Sequence, residues 1–335
     1  MKTKIGINGF GRIGKAVLKA SLEKDFDVEV VAINSGSGPK NHSHIFQYDS
    51  IYGIFPEEVK ATENALFIGD KEIKFTAHRD PSDIPWKELG VEIVIESTGV
   101  FLTEELAQKH IQAGAKRVIL SAPAKGDDVL TVVMGVNEEM FDKNKHQIIS
   151  NASCTTNCLA PVAKVLEDEF GIEEGLMTTV HAFTNDQNIL DNPHKDLRRA
   201  RAANESIIPT TTGAAKTVAK VIPSLEGKLD GMAMRVPVPV GSVIDLVVRL
   251  KKDVSVEEIN QAFIKASEGK MNKVLGVSEK PLVSIDYKKN ELSSIVDSLS
   301  TIKVGKNLYK VISWYDNEWG YSNRILDLAE YVAKQ

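Results

Sequence analysis

Lys4-Ile5-Gly6-Ile7-Asn8-Gly9-Phe10-Gly11-Arg12-Ile13-Gly14, close to the start of the chain, decides the fold. Residues 4–8 read as a short apolar strand and residues 15–20 as a helix, with a G-x-G-x-x-G turn between them. Strand, glycine turn, helix is the order of a dinucleotide site. Gly9 allows the tight turn, Gly11 lets the backbone approach a pyrophosphate, Gly14 lets helix and strand pack, and the helix N-terminus receives the phosphates. A glycine-rich turn with no ligand has the same letters. Placement on the first strand, with a second strand at residues 28–33, favours the dinucleotide.

Working outward, the second strand runs into Asn34-Ser35-Gly36-Ser37-Gly38-Pro39-Lys40. An NAD-selective site carries a carboxylate here for the adenosine ribose, and none is present. A neutral serine-glycine turn removes the repulsion of a 2′-phosphate and offers donors instead, which points to NADP. A flexible loop that still binds NAD is the alternative, and residues 36–38 are also the one linker-like stretch. Strands at residues 59–61, 66–68 and 72–76 form a meander, and Arg79 follows in a turn closed by Pro81. The strand at 93–96 ends at Ser97-Thr98-Gly99 and that at 117–120 at Ser121-Ala122-Pro123, where a doubly wound sheet places ligand contacts. With a helix at 103–113 and strands at 129–133 and 147–150, the first domain is an α/β Rossmann unit of residues 1–152.

It delivers the chain to Asn151-Ala152-Ser153-Cys154-Thr155-Thr156-Asn157-Cys158, which holds both cysteines. A thiol at a helix start feels the positive end of the dipole and unpaired N–H groups, so Cys154 is expected to favour the thiolate. Free cysteine is usually core, which is the expectation for Cys158. Apolar spacing makes residues 154–170 a helix, with Pro161 expected to delay or bend it. A lone histidine in an apolar strand, such as His181 at 176–183, is more often a satisfied core residue. With a candidate thiol upstream and no metal-ligand cluster, it reads as a base instead. Residues 185–209 are a long polar loop with a basic run, followed by Thr210-Thr211-Thr212-Gly213 opening a helix, and Arg235 closes a strand at 231–234. Hydroxyls, a helix N-terminus and arginines make anion sites, so the substrate is expected to carry phosphate. Two strand runs at 236–250, a helix at 256–266 and strands at 299–304 and 308–314 give an α+β catalytic domain, residues 153–318, with a mixed or antiparallel sheet. A terminal helix within 319–335 is expected to complete the first domain.

A chain of 335 residues exceeds the size of one growing core, in keeping with two domains. Its 42% hydrophobic and 26% charged residues are those of a soluble globular protein. Two cysteines four apart are poorly placed for a disulfide, and the N-terminus reads directly as a strand, so a reducing cytoplasmic location is expected. No apolar run approaches the roughly 18 residues of a membrane span. A net charge of −5 argues against nucleic acid as the main partner.

Taken together, Ile7–Gly14, residues 152–158, Asp196-Leu197-Arg198-Arg199-Ala200-Arg201 and Trp314-Tyr315-Asp316-Asn317-Glu318-Trp319-Gly320-Tyr321 resemble the phosphorylating glyceraldehyde-3-phosphate dehydrogenases, over essentially the full length. The resemblance implies Cys154 as nucleophile and His181 as base, acting through a hemithioacetal and a thioester. It implies that Ser153, Thr155, Thr184, Arg199, Thr212, Gly213 and Arg235 hold the phosphate of glyceraldehyde 3-phosphate and inorganic phosphate. On the cofactor side, Arg12 and Ile13 match pyrophosphate contacts and Asn317 the residue that fixes the nicotinamide amide; Arg79, Ser121 and Tyr321 join the glycines and Ser35 in that set. The family further implies a homotetramer and a place in glycolysis or gluconeogenesis. Lys15 departs from the family's arginine while keeping the charge. Ser35 departs from the aspartate of NAD-specific members, and Asn192 stands where many of them have leucine, so NADP, NAD or both are expected. Rival readings are an erythrose-4-phosphate dehydrogenase, a Cys/His hydrolase, which has no use for the glycine turn, and a binding protein using the basic loop.

Overall fold

Ile5 and Ile7, both fully buried, lie in strand β1 (Thr3–Asn8), in the interior of a nine-stranded sheet. The remaining strands are Val28–Asn34 (β2), Val59–Ala61 (β3), Ala65–Ile68 (β4), Lys71–Thr76 (β5), Ile93–Glu96 (β6), Arg117–Leu120 (β7), Leu130–Thr131 (β8) and Ile148–Ser150 (β9). Across the sheet they run β8-β9-β7-β6-β1-β2-β5-β4-β3. Neighbours from β8 to β5 are parallel, and the β5-β4-β3 edge is an antiparallel meander. Because β2 lies on one side of β1 and β6 on the other, the winding reverses at β1, and the crevice beyond its carboxyl end is where such a sheet binds ligands. Helices Arg12–Glu23 (α1), Pro39–Gln47 (α2) and Glu104–Gln112 (α3) belong to this unit. Thr103 caps α3, its hydroxyl accepting from Leu106 N at 3.2 Å.

The computed structural model describes residues 2–335. The chain divides into one unit of residues up to 132, 138–152 and 322–335, and another of residues 133–137 and 153–321. In the second unit, strands Ile172–Ala182 (β10), Ile208–Thr211 (β11), Leu229–Val236 (β12), Ser242–Leu250 (β13), Leu275–Ser278 (β14), Ser294–Asp297 (β15), Ile302–Val304 (β16) and Leu308–Tyr315 (β17) form an eight-stranded sheet. Its order is β11-β12-β10-β13-β17-β15-β14, with β16 on β17. β10 pairs parallel with β12 and antiparallel with β13, so the sheet is mixed. Helices Cys154–Phe170 (α4), Ala214–Val221 (α5) and Val256–Glu268 (α6) belong to it, and Trp319–Lys334 (α7) enters the first unit from Ser322 onward.

Three local expectations give way. The helix after the glycine turn begins at Arg12 rather than residue 15, since Gly11 already has the extended geometry of a cap. Pro39 and Lys40, read as the end of a serine-glycine turn, open a helix of residues 39–47 with Pro39 in its first turn and Gly38 as its cap, positions that suit both residue types. Pro161 neither delays nor ends α4. The Ser153 cap fixes the start, and an unbroken buried run from Thr155 to Ala163 holds the helix from outside. Among the described residues no helix is long and apolar enough to cross a membrane.

Candidate active site

Ala152 sits at φ 56°, turning the chain sharply from β9 into α4. Ser153 then caps the helix, its Oγ accepting from Thr156 N at 3.0 Å, and Cys154 occupies the first helical position. On β10, His181 is 3% exposed and brings Nε2 to 3.4 Å from Cys154 Sγ. The parallel register of β10 and β12 sets His181 opposite Arg235. His181 Nδ1 lies 2.7 Å from Ala182 O, a group that can only accept, so Nδ1 carries the proton and Nε2 turns a lone pair toward the sulfur. Arg235 Nη1 donates to Ala182 O at 3.1 Å and Thr184 Oγ1 at 3.0 Å. It stands 3.0 Å from His181 Nδ1 as a fixed positive neighbour.

Those surroundings oppose the thiolate that the helix start favours. Burial pushes the Cys154 thiol above its ordinary value, and Arg235, the Thr155 hydroxyl and the backbone N–H groups at the helix start only oppose that rise. Burial, reinforced by Arg235, pulls His181 down to about 3. Burial thus works against charge on either member of the pair, the half-buried Cys154 and the buried His181. The helix-start effect is present, but desolvation of the charged form outweighs it. Cys158 is the inert partner expected: fully buried, its thiol pushed up to about 12 by burial.

Arg235, Thr184 and Arg199 converge on one cluster. Thr184 Oγ1 and Arg199 Nη1 both donate to the Asp186 carboxylate, and Arg199 Nε donates to Thr210 Oγ1 at 2.9 Å. Thr210 donates in turn to Asp196 at 2.7 Å. Burial pushes Asp186 up, yet the Thr184 hydroxyl, Arg235 and Arg199 hold it below its ordinary value. Thr212 Oγ1 accepts from Ala214 N at 3.2 Å, and Gly213 opens α5 with open space where a Cβ would project. Thr155 is not with them. Its hydroxyl bonds Tyr315 Oη at 2.9 Å, and Tyr315 bonds Thr179 Oγ1 at 2.9 Å, so helical phase turns Thr155 into the packing behind the sulfur rather than toward the anion cluster. Asn317 Oδ1 accepts from Gly241 N at 3.2 Å and Ser242 Oγ at 3.0 Å, which leaves its amide nitrogen as the group to offer a carbonyl. Tyr321 is buried. Asn192 is exposed on its loop, with its backbone N–H donating to Ala200 O at 3.0 Å.

The first unit holds the other half of the proposed cofactor set. Gly9 has φ +93°, and a Cβ there would lie 2.7 Å from Thr98 N; one on Gly14 would lie 2.3 Å from Gly9 O. Gly11 differs: a Cβ would meet nothing within 4 Å, and α1 opens with no side-chain cap. An uncapped helix start at the point where the sheet winding reverses fits a pyrophosphate. Arg12 turns its guanidinium to Asp49 at 2.9 Å, and Ile13 beside it is half-buried. Ser121 is half-buried at the end of β7, with its N–H bonded to Glu96 O at 2.9 Å, and Arg79 is exposed beyond β5. Ser35, at the end of β2, bonds His42.

Sequence reasoning missed the supporting groups. Glu96 is fully buried and collects Asn8 Nδ2 at 2.6 Å, Thr98 N at 2.7 Å and His110 Nε2 at 3.1 Å. With Asn34 Nδ2 donating to Asn8 Oδ1 at 2.8 Å, the network ties the carboxyl ends of β6, β1 and β2 together. In the second unit, Ser242 Oγ accepts from Ala182 N at 3.1 Å and donates to Asn317, linking the strand of His181 to the amide. Asp186, two residues beyond Thr184, was the one such group with a local signal: an acidic residue beside predicted anion-binding positions.

Comparison with known proteins agrees with this geometry. Residues 3–104 match the model described as "Glyceraldehyde 3-phosphate dehydrogenase, NAD binding domain", and residues 153–317 match that of the C-terminal domain. Glyceraldehyde-3-phosphate dehydrogenase of Geobacillus stearothermophilus is 57% identical over 335 residues, covering 100% of this chain and 99% of that protein. Glyceraldehyde-3-phosphate dehydrogenase 1 of Bacillus cereus is 56% identical over 333 residues, 99% of each chain. Glyceraldehyde-3-phosphate dehydrogenase B, chloroplastic, of Pisum sativum is 53% identical over 337 residues, covering 100% of this chain and 75% of that protein. Both halves of the family match and full-length relatives share more than half their residues with it, so the chain belongs to the glyceraldehyde 3-phosphate dehydrogenase family.

Proposed function

We propose that the protein catalyses the reversible oxidation of D-glyceraldehyde 3-phosphate with inorganic phosphate to 1,3-bisphosphoglycerate, with NAD or NADP as hydride acceptor. The observation that carries this is Cys154 Sγ at 3.4 Å from Nε2 of the buried His181, next to the Arg235, Thr184 and Arg199 cluster. A Cys/His hydrolase needs the first feature but not the uncapped glycine turn of α1. The family match supports the three-carbon aldehyde over erythrose 4-phosphate.

The chemistry follows from the resting state. As Cys154 sulfur attacks the aldehyde carbon, its proton passes to His181 Nε2 and is returned to the new oxygen, giving a neutral hemithioacetal. The bound nicotinamide supplies the acceptor for the carbon-bound hydride. His181 Nε2 takes the hydroxyl proton as that hydride leaves, and a thioester to Cys154 remains. A phosphate oxygen then attacks the thioester carbon, and Cys154 departs as the sulfur leaving group, its charge stabilised by the helix start and Arg235. Two anions must be held during this sequence, one on the substrate and one as nucleophile. Arg235, Thr184 and Arg199 are the cations and hydroxyl for one set, with Ser153, Thr212 and Gly213 for the other. Asp186 keeps Arg199 paired until an anion competes for it. Asn317, whose Oδ1 is already engaged, would offer its amide N–H to the carboxamide of a nicotinamide.

For the cofactor's other end, Ser35, exposed Ser37 and Lys40, and the start of α2 offer donors and a positive charge where NAD-selective sites keep a carboxylate. We therefore propose efficient use of NADP, with Asn192 as a second polar contributor. Steady-state assays with glyceraldehyde 3-phosphate, phosphate and each cofactor test it. NADP should support kcat/KM comparable to or above that of NAD, and Ser35→Asp should move the ratio toward NAD by about tenfold or more, through repulsion of the 2′-phosphate. A wild-type preference for NAD of several decades would end the NADP proposal while leaving the reaction intact. A cytoplasmic homotetramer is the assembly the family implies, and exposed aliphatics such as Leu176, Leu299 and Val304 in the second unit are candidates for its buried surface.

A further inference from the structure

Ser35 is held from behind. His42, in α2, places Nε2 2.9 Å from Ser35 Oγ. The imidazole is 8% exposed and enclosed by Phe10, with centroids 5.3 Å apart, and Phe75, 5.6 Å away. Both phenylalanines are buried, and His42 Nδ1 has no hydrogen-bonding partner. That asymmetry fixes the ring proton. A buried N–H without an acceptor is rarer and more costly than a buried lone pair without a donor, so Nδ1 is bare and Nε2 carries the hydrogen. Burial, with the Lys15 charge nearby, also lowers His42 to about 4, which keeps the ring neutral at neutral pH. Ser35 Oγ accordingly accepts from His42, and the serine proton is not taken by the ring. The backbone N–H of Ser35 is already spent on Thr76 O at 3.0 Å. Ser35 is half-buried and the three residues after it are exposed, so the hydroxyl proton is available on the cofactor side.

We propose that His42, by donating to Ser35, makes that serine a hydrogen-bond donor toward the cofactor and is thereby a positioning residue for the selection of NADP. This rests on the role given to Ser35 above. A 2′-phosphate presents only acceptor oxygens and needs a donor opposite it, whereas the 2′-hydroxyl of NAD both donates and accepts. With the ring proton on Nδ1 instead, Ser35 would donate inward to Nε2 and turn lone pairs toward the phosphate. The sequence of α2 therefore contributes to cofactor choice through a residue that touches no cofactor atom.

The test compares wild type, Ser35→Ala, His42→Leu and the double variant, reading for NADP and for NAD in each both kcat/KM and the Kd from fluorescence titration without substrate. Leucine fills the apolar box without donating. The NADP-to-NAD ratio should fall about tenfold in either single variant, the scale of one hydrogen bond to a charged group, and fall little further in the double variant. His42→Gln, whose amide still donates, should retain the ratio. A packing fault alone lowers kcat/KM for both cofactors together and leaves the ratio where it was. If Ser35→Ala lowers the ratio and His42→Leu does not, the role of His42 is overturned and that of Ser35 stands. If Ser35→Ala leaves the ratio unchanged, both are overturned.

Discussion

Cys154→Ser is expected to reduce kcat for glyceraldehyde 3-phosphate oxidation by roughly 10⁴-fold, the scale seen when one member of a nucleophile–base unit is disabled. Serine keeps the size of the side chain and the start of α4, so the Ser153 cap and the buried run behind it persist. What it removes is the one atom in the site that can attack as a weakly basic nucleophile and leave again from an acyl group. A serine hydroxyl ionises far less readily than a thiol, so the same imidazole generates much less nucleophile from it. Initial-rate assays together with a thermal melt check this. A loss below tenfold in a folded variant would remove Cys154 from the chemistry.

The second large effect is at His181. Asn keeps a polar group of similar reach on β10 but cannot exchange a proton, and His181→Asn is expected to lower kcat by about 10²–10⁴-fold, the usual worth of a positioned acid–base group. The direction of the pH dependence follows from the same site. The imidazole loses its proton near 3, so no fall in rate from imidazolium formation is expected around neutrality. The thiol is raised by burial, and its deprotonated fraction grows as pH rises. Alkylation of Cys154 by iodoacetamide in the ligand-free wild type should therefore keep accelerating from neutral into alkaline pH. A rate that levels off below neutrality would show a resting thiolate, with the helix start outweighing burial.

The parts legible in the sequence are those whose cause is local. Gly9 and Gly14 announce themselves because the turn at Gly9 demands a positive φ and Gly14 has no room for a Cβ. The apolar spacing after Cys154 made α4 readable, and His181 stood out once a thiol needed a base. Long-range registration was not readable. Nothing near Arg235 says that β12 lies parallel to β10 with Arg235 opposite His181, and nothing near Glu96 says that it will collect donors from β1 and α3. Thr155 was placed with the phosphate residues by the family resemblance, yet in the structure its hydroxyl bonds Tyr315. The helix start that favours a thiolate is visible in the sequence, whereas the packing of His181 beside Arg235, which opposes charge on the imidazole, is not. Helix α2 was hidden by the Gly-Ser stretch before it, and with it the contact between His42 and Ser35.

The claim everything else depends on is that the aldehyde is oxidised while bonded to Cys154 and released by phosphate. Mixing the enzyme with glyceraldehyde 3-phosphate and cofactor in the absence of phosphate, then quenching and mapping peptides by mass spectrometry, tests it directly. The account predicts a burst of reduced cofactor equivalent to the active sites, an acyl adduct on the peptide carrying Cys154, and rapid discharge of that adduct with resumed turnover when inorganic phosphate is added. Sustained turnover at the same rate without phosphate, or an adduct confined to another residue, would contradict it.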